Sequence, residues 1–113
     1  MEEFVLIFRQ PLGETPLTTE QMQARMKLWE NWFGNIAAQG RYMPGKRLAD
    51  GGKVLKQSGL ITDGPFVEIK EQLLGFISVK AENMDEAITL AHGCPIFGQG
   101  GTVEIRTVIP TNY

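Results

Sequence analysis

The stretch "ITDGPFVEIKEQ" (61–72) gathers Asp63, Glu68, Lys70 and Glu71 around a Gly-Pro turn signal. A carboxylate at a strand-end turn can serve as a general base if burial raises its pKa toward neutrality. A lysine between two acids can neutralise an anionic group or exchange a proton. Asp63, Lys70 and Glu71 are therefore the candidate catalytic groups, and Glu68 a candidate ligand-binding residue. A simpler chemistry accounts for the same residues. Asp63 before Gly64-Pro65 can accept backbone amides and frame a corner, while Glu68 to Glu71 can form a solvated edge with weak ion pairs.

Other residues with ligand-binding chemistry lie elsewhere in the chain. Glu104 and Arg106 are two apart in "TVEIRTVIP", so on a strand they share a face. There they would hold a polar ligand or act as ordinary strand polarity. Arg47 and Arg106 are the candidates for holding an anionic group. Trp29 stands with Met22, Met26, Trp32 and Phe33 in a set that could wall an aromatic pocket, although such a stripe also makes helix core. His92 and Cys94 are the only residues of their kinds, and structural zinc needs four ligands, so neither metal nor cofactor is expected. Gly98, Gly100 and Gly101 run into a strand rather than a helix, which is not a phosphate-binding fingerprint.

These residues must be positioned by a small chain. With 113 residues, 42% hydrophobic and 21% charged, one domain spanning 1–113 is expected. Net charge is −2 and the charges are interspersed, so no basic stripe marks a nucleic-acid partner. "MEEFVLIFRQP" has an acidic start and a short apolar run, which reads as a strand rather than a secretory leader. No apolar run reaches the roughly 18 residues of a membrane span. A single cysteine fits a reducing cytoplasm, the expected location.

Phe4 to Arg9 is apolar on both faces, as is "QLLGFISVK" (72–80). Between them, Thr18 and Gln21 have capping-box spacing, and Met22, Met26, Trp29, Phe33 and Ile36 recur at helical intervals up to Gly40. Residues 41–60 read as irregular, with "KVLK" and "SGLIT" forming a short hairpin. Asn83 caps a second helix whose stripe is Met84, Ile88 and Ala91. "CPIFGQGG" reads as a loop, and 102–110 as a final strand with Val103, Ile105 and Ile109 on one face. The order predicts an α+β fold: a ferredoxin-like split βαβ with a mainly antiparallel sheet and both helices on one face. The second, partly apolar sheet face then needs a cover, and a second copy of the chain supplies one.

"TDGPFVEIKEQLLGFISV" followed by "MDEAITLAHGCPIFGQGGTVEIRTV" closely resembles the DGPF branch of the YCII-related family. The likeness extends to the first half, through the apolar first strand and the helix ending "AAQGRYMPG". The resemblance implies a ferredoxin-like fold that pairs into a dimeric α+β barrel. It implies less about chemistry: a few YCII-like members act on chlorinated hydroxyquinols, and the wider family is credited with a His–Asp pair in a cleft. The family's helical histidine would fall near Trp29, yet "RMKLWENW" holds no histidine. DGPF members are often encoded beside alternative sigma factors, which points to a regulatory context. The expectation is a homodimer that binds a small polar or aromatic metabolite, with cofactor-free acid/base (lyase- or hydrolase-like) activity in the enzymatic version. The alternative is a non-catalytic regulatory or protein-interaction module.

Overall fold

The structure is a computed structural model that describes residues 1–11, 16–49, 51–59, 61–64 and 71–110, with only the backbone described for 61–64. The first strand, β1 (Glu2–Pro11), buries Phe4, Leu6 and Phe8 to 3% exposure or less and leaves Val5 and Ile7 half-buried. Helix α1 (Thr19–Ala38) begins at the capping box: Thr18 Oγ1 accepts the Gln21 N–H at 3.1 Å, and Gln21 Oε1 accepts the Thr18 N–H at 3.0 Å. Just beyond its last turn, Gly40 takes the left-handed conformation, φ +71°.

Tyr42–Arg47 then forms a strand, β2, where the sequence pattern reads as irregular. Pro44 and Gly45 hide it, since neither favours a strand interior. Both sit in a bulge: Met43 opposes Ser78 and Lys46 opposes Phe76, so two residues of β2 face one of its partner. The expected hairpin is present as β3 (Gly52–Leu55) and β4 (Ile61–Gly64), a separate two-stranded sheet with Lys53 opposite Asp63. The strand β5 (Glu71–Ala81) follows. Next, helix α2 (Met84–Ala91) starts where Asn83 Oδ1 accepts the Glu86 N–H at 2.9 Å. The segment expected as a loop contains a short 3-10 helix, Pro95–Gln99. The last strand, β6, covers Thr102–Thr107. It stops short of Ile109, which is 76% exposed and does not continue the Val103–Ile105 face.

The main sheet has the order β2-β5-β1-β6 and is antiparallel at every pairing. With the two helices on one face, this is the expected α+β, ferredoxin-like arrangement. The core lies between sheet and helices, formed by Phe4, Leu6, Phe8, Ile77 and Val79 below and Trp32, Ile36, Ala87, Ala91 and Ile96 above. Both helices are rotated from their expected stripes. On α1 the buried residues are Trp32 and Ile36, while Met22 and Met26 are 49% and 55% exposed. On α2 they are Ala87 and Ala91, with Met84 and Ile88 each 38% exposed. Alanines on the sheet side let α2 approach closely, so the larger side chains of its apolar arc fall at the edge. The Trp32 indole N–H donates to the Leu90 carbonyl at 3.1 Å and ties the two helices together. No helix among the described residues is long and apolar enough to cross a membrane.

Strand β2 sits unusually close to β5. A Cβ placed on Gly45 would lie 1.8 Å from the Phe76 carbonyl oxygen, and one on Gly75 would lie 2.4 Å from the Lys46 carbonyl oxygen. Backbone atoms cannot step aside as a flexible side chain would. Gly34, inside α1, has no atom within 4 Å of its Cβ position. Gly45→Ala is therefore expected to destabilise by about 2–3 kcal/mol, whereas Gly34→Ala stabilises by about 0.5–1 kcal/mol through helix propensity. Urea unfolding midpoints at constant slope measure both, and a neutral Gly45→Ala would refute the close approach.

Candidate functional site

Along α1 burial falls steadily toward the N-terminus. Ile36 and Trp32 are buried, Trp29 and Phe33 half-buried, and Met26 and Met22 exposed. The C-terminal half of the helix is buried on the sheet, while Met22 and Met26 of the N-terminal half stay exposed beside open space. The space between is a cleft of about 740 Å³, within the size range of small-molecule sites.

Its wall is a chain of aromatic rings. Phe8 meets Trp29 edge-on at 5.0 Å between centroids, Trp29 meets Trp32 at 5.8 Å, and Phe33 stacks on Tyr42 at 5.2 Å. Such edge-to-face and offset contacts each add about 0.5–1.5 kcal/mol beyond area burial, which makes a stiff wall. The floor is made by two bulges that converge on β5. Beside β1, the register slips from Phe8–Gly75 to Arg9–Leu73, which leaves Leu74 unpaired in that ladder; its carbonyl accepts the Leu48 N–H at 2.8 Å. On the other side is the Pro44–Gly45 bulge of β2. Gly75 lies between Phe8 and Arg47 in the two registers, so no side chain fills the sheet surface between them. Gln10 and Gln72, directly opposite each other on β1 and β5, line the cleft with amide groups.

The β2 bulge decides which residue reaches this cleft. Tyr42 and Arg47 are five positions apart and would face opposite sides of a regular strand. The extra residue reverses the alternation, and Arg47, opposite Gly75, comes to the same face as Tyr42. Arg47 lines the cleft. In the other four arginines the side chain is engaged: Arg9 and Arg106 with Glu104, Arg41 with Glu86, and Arg25 with a further group. Among the described residues the Arg47 guanidinium has no ion-pair partner.

The residues singled out in the sequence are thus distributed over several places. Trp29 and Arg47 line the cleft together. Glu71 is half-buried at the start of β5, opposite Pro11 and next in sequence to the cleft residue Gln72. Asp63 belongs to the β3–β4 hairpin. Glu68 and Lys70 lie outside the described residues. Arg106 is on the sheet face away from the helices: it pairs in register with Val5, and Glu104 with Ile7. There Glu104 accepts Arg9 Nη1 at 2.5 Å and Arg106 Nη1 at 3.1 Å. These two guanidinium groups, Arg106 first, hold the Glu104 carboxyl below the usual carboxylate range. Arg9 could have been suspected from strand alternation; Gln10, Gln72 and the Arg47 orientation depend on bulges that leave no periodic signal.

Cys94 is 4% exposed, and burial pushes its thiol up to about 12, so it stays protonated at neutral pH. His92 is exposed at the end of α2. No group of three His, Cys, Asp or Glu side chains that could hold a metal occurs among the described residues.

The YCII-related domain matches residues 4–112, nearly the whole chain. The chain belongs to the YCII-related family. None of the curated proteins searched matches it. Trp29, where the resemblance would place the family's helical histidine, projects into the wall of the cleft of this YCII-related protein.

A lowered Glu104 pKa means the folded state binds its proton less readily than the unfolded chain does. The stabilisation is present above the ordinary value of 4.5 and is lost as pH falls through the lower folded-state value. Glu104→Gln should therefore lose less stability than wild type on acidification below about pH 4. Chemical denaturation between neutral and strongly acidic pH tests this, and identical pH profiles would refute it.

Proposed function

We propose that this YCII-related protein binds a small, polar or aromatic metabolite in the cleft between α1 and the sheet, and does so as a homodimer. The observation that carries the reading is the open cleft itself, with a rigid aromatic wall on one side and polar groups at its edge. Sites of this build favour planar ligands, which gain dispersion contacts on the rings and directed hydrogen bonds at the rim. In an enzymatic version, Asp63, Lys70 or Glu71 moves a proton and Glu68 contributes to binding, with no metal or organic cofactor. The position of Glu71 next to cleft-lining Gln72 supports its part.

Pairing with a second copy is supported by the sheet face away from the helices. Val5 and Ile7 are only half-buried there and lie beside the Arg9–Glu104–Arg106 cluster. An apolar strip bordered by paired charges suits a self-complementary interface.

Intrinsic tryptophan fluorescence reports on the cleft, because Trp29 and Trp32 are the chain's two tryptophans. A metabolite screen should yield ligands that shift the emission saturably and bind at least about tenfold more weakly to Trp29→Ala, the loss of about 1.4 kcal/mol of contact. Ligands indifferent to Trp29→Ala would count against the cleft. Light scattering at micromolar concentration should give twice the 12.6 kDa chain mass, and a monomeric mass would remove the dimer.

A further inference from the structure

The cleft draws basic residues to its lining although the chain as a whole is acidic. The protein carries −2, yet among the described residues lining the cleft Arg25, Lys46 and Arg47 outnumber the single acid, Glu30. Arg25 is engaged with a further group, and Lys46, opposite Phe76, falls on the other face of β2, so the charge on the cleft face of β2 is that of Arg47, set beside apolar walls. Low-dielectric walls focus such a field and raise the local concentration of anions. The arrangement of Arg47 is more telling than the count. The bulge that turns it to the cleft face holds Pro44 and Gly45 in a strand, with a backbone approach that leaves no room for a Cβ at Gly45. Bulges commonly re-aim a side chain beside a functional site. The guanidinium so delivered has no ion-pair partner among the described residues. It stands across the empty Gly75 surface from Phe8, which itself meets Trp29.

Resting on the cleft reading above, we propose that the ligand is a planar organic anion of the aryl-carboxylate class. Its ring lies against Trp29 and Phe33, and its carboxylate is met by Arg47. A planar guanidinium donates two parallel N–H bonds to a carboxylate, a geometry that a lysine ammonium does not reproduce. The aromatic wall selects a flat, unsaturated body over a branched aliphatic one. Gln10 and Gln72 offer amide donors and acceptors for a ring substituent. Lys46, opposite Phe76 in register, falls on the other face of β2 and takes no part in the contact.

Benzoate and its neutral isostere benzamide are the probes, titrated at low ionic strength against wild type, Arg47→Met, Arg47→Lys and Trp29→Ala, with tryptophan emission and calorimetry as readouts. Benzoate should bind about tenfold or more tightly than benzamide, as expected for one charge-assisted hydrogen-bonded pair. Arg47→Met should abolish that preference, Arg47→Lys should restore part of it, and Trp29→Ala should weaken both probes alike. Added salt should weaken benzoate and leave benzamide unchanged. Equal binding of the two probes, or benzoate binding unchanged in Arg47→Met, overturns the anion proposal and leaves the cleft reading standing. Saturable binding by neither probe also overturns it. The cleft reading itself falls only if the metabolites found by screening are also indifferent to Trp29→Ala.

Discussion

The backbones of β2 and β5 meet at Gly45 and Gly75 with no room for a side chain at either position, and the cleft side of the molecule is arranged around that contact. Ladder hydrogen bonds would hold two strands together without it, but in straight register. The contact accommodates an extra residue in β2, tightens its approach to β5, and reverses which face each later side chain occupies. The exchange puts a cation beside a surface where Gly75 provides no side chain. A second bulge, across β5 at Leu74, places the irregularity of β1 at the same level. The floor of the cleft is thus a place where regular sheet geometry is suspended from both sides.

The opposite wall depends on where α1 stops packing. Trp32 and Ile36 anchor the C-terminal half of the helix, and the Trp32 N–H satisfies the Leu90 carbonyl at the end of α2. Gly93 permits the indole to lie there: a Cβ on it would come within 3.2 Å of the Trp32 ring. Held at one end, the helix keeps its core while its other end borders the cleft. Met22 and Met26, apolar yet exposed, are the outcome, since they face a space rather than a packed layer. Methionine suits that position because its unbranched, polarizable chain adapts to varied partners.

The face of the sheet away from the helices is organised by charge. Glu104 accepts two guanidinium groups on a strand otherwise flanked by Val5 and Ile7. An exposed ion pair of this kind contributes little by itself. Its role there is directional, because it fixes two arginine side chains beside a half-buried apolar strip. The two faces of the sheet therefore differ in kind, one a cleft walled by aromatic rings and the other a partly apolar surface bordered by paired charges.

The sequence by itself determined the parts of the fold that local chemistry controls. The capping box at Thr18 and Gln21, the Asn83 cap, the Gly40 stop, the strands at Phe4 and Leu74, and the order of the elements apart from β2 and the 3-10 helix were legible, because each rests on neighbours within a few residues. The TDGPF-to-GF block and the strand-helix pattern around it carried the family. Which side of each helix is buried was decided only in three dimensions: Trp32 and Ala87 face the core because of how closely each helix can approach the sheet, not because of its apolar count. The strand β2 escaped notice because its bulge holds a proline and a glycine, poor strand formers alone. Arg47 and Trp29 were visible as residue types, but their meeting in one cleft was not. It follows from an extra residue in one strand that reverses the alternation, and from a backbone contact between residues 45 and 76, far apart in the chain, that no local pattern encodes.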